Sequence, residues 1–151
     1  MMRAWERRIF NTLAVVVSTT GLAYLALRYG LQNDDPFALV NHPLEPWALA
    51  AHVLAAPWLL VMFGLILNSH IERKMAEPAP TNRRTGLASL IAFVVMTVSG
   101  YGLQVVTSPT LTTGLFVSHL VSGGAFVLVY GVHLAIGLRA SARCESRRKV
   151  A

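Results

Sequence analysis

The chain has 151 residues, of which 54% are hydrophobic and only 13% charged, against about 25% charged in a soluble domain. Its formal net charge is +6, yet no stretch interleaves Lys or Arg with aromatics as a nucleic-acid surface would, so nucleic acid is excluded as a partner. The charges gather instead at the ends of long apolar runs, which is the pattern of an integral membrane protein in contact with lipid.

Residues 1–8 are polar and basic, and an apolar run follows with no A-x-A-type cleavage site behind it. A retained first helix is therefore expected over residues 9–28. Residues 28–46 hold Asn, Asp and three prolines, which break a helix and predict a long loop. In that loop His42, beside Pro43, suits a solvated or capping role, and Asp34 and Asp35 suit a turn more than a docking surface for a basic partner. A second helix is expected over residues 46–70, interrupted by Pro57, which removes a backbone hydrogen bond and predicts a kink. After the polar stretch 75–86 come a third helix over residues 86–106 and, across a connection of a few residues, a fourth over residues 112–139. So short a connection makes the last two antiparallel neighbours. The arginine-rich tail, which carries the single cysteine Cys144, is expected to fray. No internal repeat is visible along the chain.

Four spans of about 20 residues match a bilayer core. Of the 13 Lys and Arg residues, all but Arg28 lie in the N-terminus, the connection between helices two and three, or the tail. The positive-inside rule then puts both termini in the cytoplasm. The expected fold is an all-α, four-helix up-down transmembrane bundle forming a single domain.

Ionisable groups within spans are rare and usually functional, and this chain has two histidines in each of two spans. His52 and His70 are 18 residues apart and His119 and His133 are 14 apart. These are about 5 and 3.9 helical turns, so each pair shares a helix face. Helices two and four run in the same direction, and His52 and His119 lie at a similar depth, roughly 10 Å below the outer surface. His70 and His133 form a second pair whose depths differ by about one turn. Two imidazoles on one iron suit a low-spin b-type haem, with both axial positions filled. No CxxCH is present for covalent attachment, so two haem b groups, about 20 Å apart, would be held by ligation and packing. Gly123 and Gly124, a turn after His119, offer room for a macrocycle, and Gly64, Gly100, Gly102 and Gly131 are further candidates. Arg73, Lys74, Arg83 and Arg84 could meet inner propionates, and Arg28 outer ones. Ser18, Thr19 and Thr20 are expected to bond back to their own helix. The four apolar runs contain no Asp or Glu, which argues against divalent-metal transport. No GxGxxG, Walker loop, HExxH or nucleophile elbow is present.

The run from Asn33 through His52 to His70, the segment from Arg83 to Val105, and the run from His119 to His133 together resemble a group of small four-helix bacterial membrane proteins. These are similar to the cytochrome b561-like di-haem b-type cytochromes and to the haem-bearing helices of respiratory cytochrome b. The resemblance implies that His52 and His119 ligate an outer haem and His70 and His133 an inner one, in a protein of the bacterial inner membrane. Two departures stand out: the first helix has no histidine, and the two histidine spacings are unequal. The expected function is transmembrane electron transfer between the quinone pool and a redox partner protein or larger membrane complex. A quinone site at either face would make the chain an oxidoreductase, and without one it is a relay subunit. The competing reading is a non-redox anchor or assembly subunit without haem.

Overall fold

Long apolar sequences with few internal breakers fold into long helices, and the computed structural model is helical throughout its regular segments. It describes residues 3–31, 38–76 and 82–150, with side chains throughout except at 68, 69, 75 and 141–150. Helix α1 spans Ala4–Leu25 and continues as a π-helical turn over Ala26–Gly30. Helix α2 spans Glu45–Ile66, passes through Pro57, and continues as a π segment over Leu67–Glu72 and the short helix α3, Arg73–Ala76. Helix α4 spans Arg83–Val105 and α5 spans Pro109–Val150. No strand occurs among the described residues.

Two boundaries differ most from expectation. Helix α1 begins at Ala4 because the Glu6 carboxylate accepts a hydrogen bond of 2.7 Å from the Arg3 backbone N–H and closes the first turn. The arginine-rich tail does not fray away from the fourth helix but continues it to Val150. Its run ASARCESRRK holds no Gly or Pro to stop a helix. Asp34 and Asp35 lie outside the described residues.

Four helices are long and apolar enough to cross a membrane: residues Ala4–Gly30, Glu45–Ile66, Arg83–Val105 and Pro109–Ala140. Many of their large apolar side chains face outward, with Trp47 74% and Leu128 72% exposed, as expected of helices that meet lipid rather than water. The chain divides into two units, Met1–Pro78 and Ala79–Ala151. Each is built on an antiparallel pair, α1 with α2 in the first and α4 with α5 in the second.

In the first unit the pair is clasped at its loop by Glu45. This buried carboxylate takes a 3.1 Å ion pair from Arg28 and a 3.0 Å hydrogen bond from the Asn41 backbone N–H. The Asn41 side chain in turn donates to the Arg28 carbonyl at 2.6 Å. His42, expected to be solvated or capping, accepts at its Nδ1 from the N–H of Leu44, the residue before α2. In the second unit the connection is three residues long, and Thr112 reaches back to the Val106 carbonyl.

The buried hydroxyls follow one rule. Ser89, Ser99 and Ser122 each donate to the carbonyl four residues earlier in their own helix, which satisfies them where water is excluded. Thr19 and Thr20 do the same, as the sequence implies. The clasp generates a first prediction. Glu45→Gln keeps the shape but removes the charge on which Arg28 and Asn41 converge, so thermal unfolding of the detergent-solubilised protein should fall by about 1–2 kcal/mol. Glu72→Gln, on an exposed side chain, should leave it unchanged.

Candidate functional site

Each helix carbonyl has two lone pairs, and its own helix uses only one, for the N–H four residues on. The Cβ of that later residue crowds the approach to the other. A glycine there opens it, and this accounts for the setting of His52. Its Nδ1 lies 2.9 Å from the carbonyl oxygen of Val17, and its ring rests against Gly21, four residues on. A Cβ built on Gly21 would come within 2.9 Å of the ring.

His119 has the same surroundings in the second unit. Its Nδ1 lies 2.9 Å from the Met96 carbonyl oxygen, and a Cβ on Gly100, again four residues on, would come within 2.9 Å of the ring. A carbonyl oxygen can only accept, so in both histidines Nδ1 carries a proton, and in the neutral ring the lone pair is then on Nε2.

His133 reaches the same tautomer through an intermediary. Asn82 caps α4 in the left-handed conformation, φ 69°, and Gly86 donates its backbone N–H to the Asn82 carbonyl. The hydroxyl of Thr85 takes that carbonyl's other side, donating to the Asn82 backbone and side-chain oxygens. With its proton so committed, Thr85 Oγ1 accepts from His133 Nδ1 at 3.2 Å. A Cβ on Gly86 would stand 3.2 Å from the ring. The Asn82 amide also donates to the His133 carbonyl at 2.9 Å, fixing α5 against the start of α4.

Within the second unit these two places are in register. Gly86 and Gly100 are 14 residues apart on α4, as His133 and His119 are on the antiparallel α5. Midway between them, Phe93 meets Phe126 at 5.5 Å between ring centroids, and the column continues through Tyr130 to His133. Bulky aromatic rings thus fill the space between two histidines that each sit against a glycine.

The remaining candidates are placed differently. His70 is half-buried within the π segment, and no glycine contact comparable to the other three involves it. A π turn takes in more residues than an α turn, so the 18-residue spacing no longer returns His70 to the line of His52 as it would in a continuous α-helix. Gly123 touches only Met96, with a Cβ placed 3.7 Å from its sulfur, and Gly124, Gly64 and Gly131 have open space around them. Gly102 packs on Leu115. Arg73 and Arg84 are exposed, and Arg28 is engaged by Glu45. A shallow apolar groove of about 500 Å³ on the second unit is lined by Ala88, Ala92, Ser118 and Ser122 among others, but by neither histidine.

Sequence reasoning missed Gly21, Gly86, Asn82 and Thr85. The available signal was a glycine four residues after a carbonyl, on the helix opposite a histidine, and it can be read only once the register of the hairpin is known.

No protein-family model matches the chain, and neither a curated protein nor a solved structure matches it.

Thr85→Val keeps the shape and removes the hydroxyl that meets His133 Nδ1 at 3.2 Å. Stability should fall by about 1–2 kcal/mol, and in ¹⁵N-histidine spectra the His133 signals should move while those of His119 stay in place.

Proposed function

We propose that the chain is a multi-pass b-type cytochrome of the bacterial inner membrane, with both termini cytoplasmic, that carries electrons across the bilayer between the quinone pool and a redox partner. One observation carries this reading: His52, His119 and His133 each have Nδ1 committed as a donor within their own hairpin, which leaves the lone pair on Nε2. This is the setting that orients an imidazole as a metal ligand and makes it more basic.

The residues fit haem better than a bare ion. Among the described residues no group of three or more His, Cys, Asp or Glu side chains comes together, whereas a porphyrin supplies four of the iron ligands and asks the protein only for axial ones. When bound, haem supplies an iron that takes up and releases one electron. The chain's own residues do the rest. His52 and His119 would hold the outer haem, His52 with its Nδ1 against the Val17 carbonyl and 3.5 Å from Thr20 Oγ1, and His119 with its Nδ1 against the Met96 carbonyl. His133 is the inner ligand held by Thr85, with His70 as its partner in the pairing read from the sequence. The exposed Arg73 and Arg84 are available to anionic groups beside the inner site.

A pyridine haemochrome spectrum of the purified protein should show b-type haem at about two per chain. His52→Ala and His119→Ala should each abolish the same haem, and His133→Ala the other. His70→Ala tests the fourth ligand: retention of both haems would remove His70 from the set. A colourless preparation from haem-replete cells would overturn the reading in favour of a non-redox anchor or assembly subunit.

A further inference from the structure

The three histidine settings follow one plan, and the plan recurs along the chain. Arg3, Glu6, Arg7, Ala14, Val17 and Gly21 on α1 correspond to Asn82, Thr85, Gly86, Phe93, Met96 and Gly100 on α4 at a constant offset of 79 residues. His52, Leu59 and Ile66 on α2 correspond to His119, Phe126 and His133 on α5 at a constant offset of 67. The two offsets differ only because the first loop is longer.

The correspondence is structural as well as numerical. Arg3 and Asn82 are the residues before the two first helices, and the Arg7 N–H bonds the Arg3 carbonyl at 3.2 Å as the Gly86 N–H bonds that of Asn82 at 3.2 Å. Ala14 and Phe93 are both buried, as are Leu59 and Phe126. Both histidine Nδ1 contacts, to Val17 and to Met96, are 2.9 Å long. Residues 15–21, VVVSTTG, face the comparison with residues 94–100, VVMTVSG. Against this agreement, the place toward the open end of each hairpin differs completely. The second hairpin has Gly86 and His133 there, and the first has Arg7 and Ile66.

We infer that the chain is a tandem of two copies of one histidine-presenting helical hairpin. Gly21 and Gly100 are its equivalent positioning residues, acting through His52 and His119. The hairpin's second glycine–histidine place survives only in the second copy. The repeat stands on the geometry of each hairpin by itself, whereas the use of its histidines as iron ligands rests on the haem reading above.

On this inference His52 and His119 are interchangeable in chemistry, and His133 is not matched by its counterpart. His70, one turn beyond Ile66 and inside the π segment, lies outside the repeat, where the second copy has Gly137. The arrangement also explains why Gly86, rather than Gly123 or Gly124, lies against an imidazole. It is the partner of His133 in a two-place unit.

The test uses the full-length, dithionite-reduced protein in detergent with ¹⁵N-labelled histidine. His52, His119 and His133 should show the tautomer protonated at Nδ1. Gly21→Ala should displace the His52 signals alone and Gly100→Ala those of His119 alone, because the added methyl meets a side-chain ring that can move rather than backbone. Gly64→Ala, with open space around it, should displace neither. Arg7→Gly combined with Ile66→His restores the missing place and should add one ring protonated at Nδ1, donating to Glu6 where His133 donates to Thr85.

Unmoved His52 and His119 signals in the two alanine variants would overturn the inference, as would an unprotonated Nδ1 on the restored ring in a folded double variant. If the double variant fails to fold, the alanine variants decide. Visible spectra of the same samples separate this from the functional reading. A colourless wild type in which three tautomers agree and the alanine shifts occur would overturn the haem and support the repeat, whereas two haems with no alanine shifts would do the opposite.

Discussion

The second lone pair of a helix carbonyl is the acceptor on which the histidine settings depend. Inside a helix hairpin that excludes water, an imidazole N–H needs a partner, and most polar groups nearby are already paired within their own helix. The carbonyls of Val17 and Met96 can serve because the residue that would shield each is a glycine, Gly21 and Gly100. A methyl group at either position would push the ring off its acceptor. One absent side chain on α1 or α4 thus sets which ring nitrogen of a histidine on the opposite helix donates to that carbonyl. At His133 the hydroxyl of Thr85 stands between ring and carbonyl, and the proton ends on the same nitrogen.

The spans, their number and the segments that break them are legible because each rests on local composition. Long apolar runs, the proline-bearing stretch before Glu45 and the charges around Arg73 and Arg83 all report themselves within a window of some 20 residues. His52, His119 and His133 are legible as unusual residues within spans. Their acceptors are not, because they depend on the register between two helices, which no single helix encodes. Gly123 and Gly124 were the obvious glycines beside His119 in sequence, yet a helix turns its neighbours in sequence toward different faces, and the glycine that matters is on the other helix of the hairpin. The repeat is concealed for a related reason. The loop before α2 is longer than the one before α5, so no single offset aligns both helices of the pair, and small residues such as Ala14 stand where the second copy has Phe93. The helical tail differs in the other direction: its charge suggests fraying, although Arg, Lys, Glu and Ala are all good helix formers.

The two hairpins spend their buried polar groups differently. In the first, Glu45 draws Arg28 and Asn41 together at the loop, and Glu6 closes the first turn of α1. In the second, no buried carboxylate occurs among the described residues, and the polar work falls to Asn82 and Thr85 around His133. A carboxylate at the position of Thr85 would bring a charge to the ring, whereas a hydroxyl passes the hydrogen bond on without one. Thr85 therefore engages the ring without an ion pair.

The inequality of the two histidine spacings then has a structural origin. Fourteen residues along α5 match 14 along α4 because glycine faces histidine at both ends and Phe93 meets Phe126 between them. In the first hairpin the corresponding distance from His52 ends at Ile66, where α2 also ends and the π segment begins. A π segment accommodates an additional residue in a helix without breaking it, and such turns recur where a sequence has been altered around a functional side chain. His70 lies just past that point. Its 18-residue spacing therefore spans a regular α-helix and an irregular turn in succession, so a face computed for uninterrupted α-helix does not apply to it. The spacing that looked like five whole turns is better described as the repeat's own 14 residues followed by a π-helical extension, and His52 and His70 are products of different local rules.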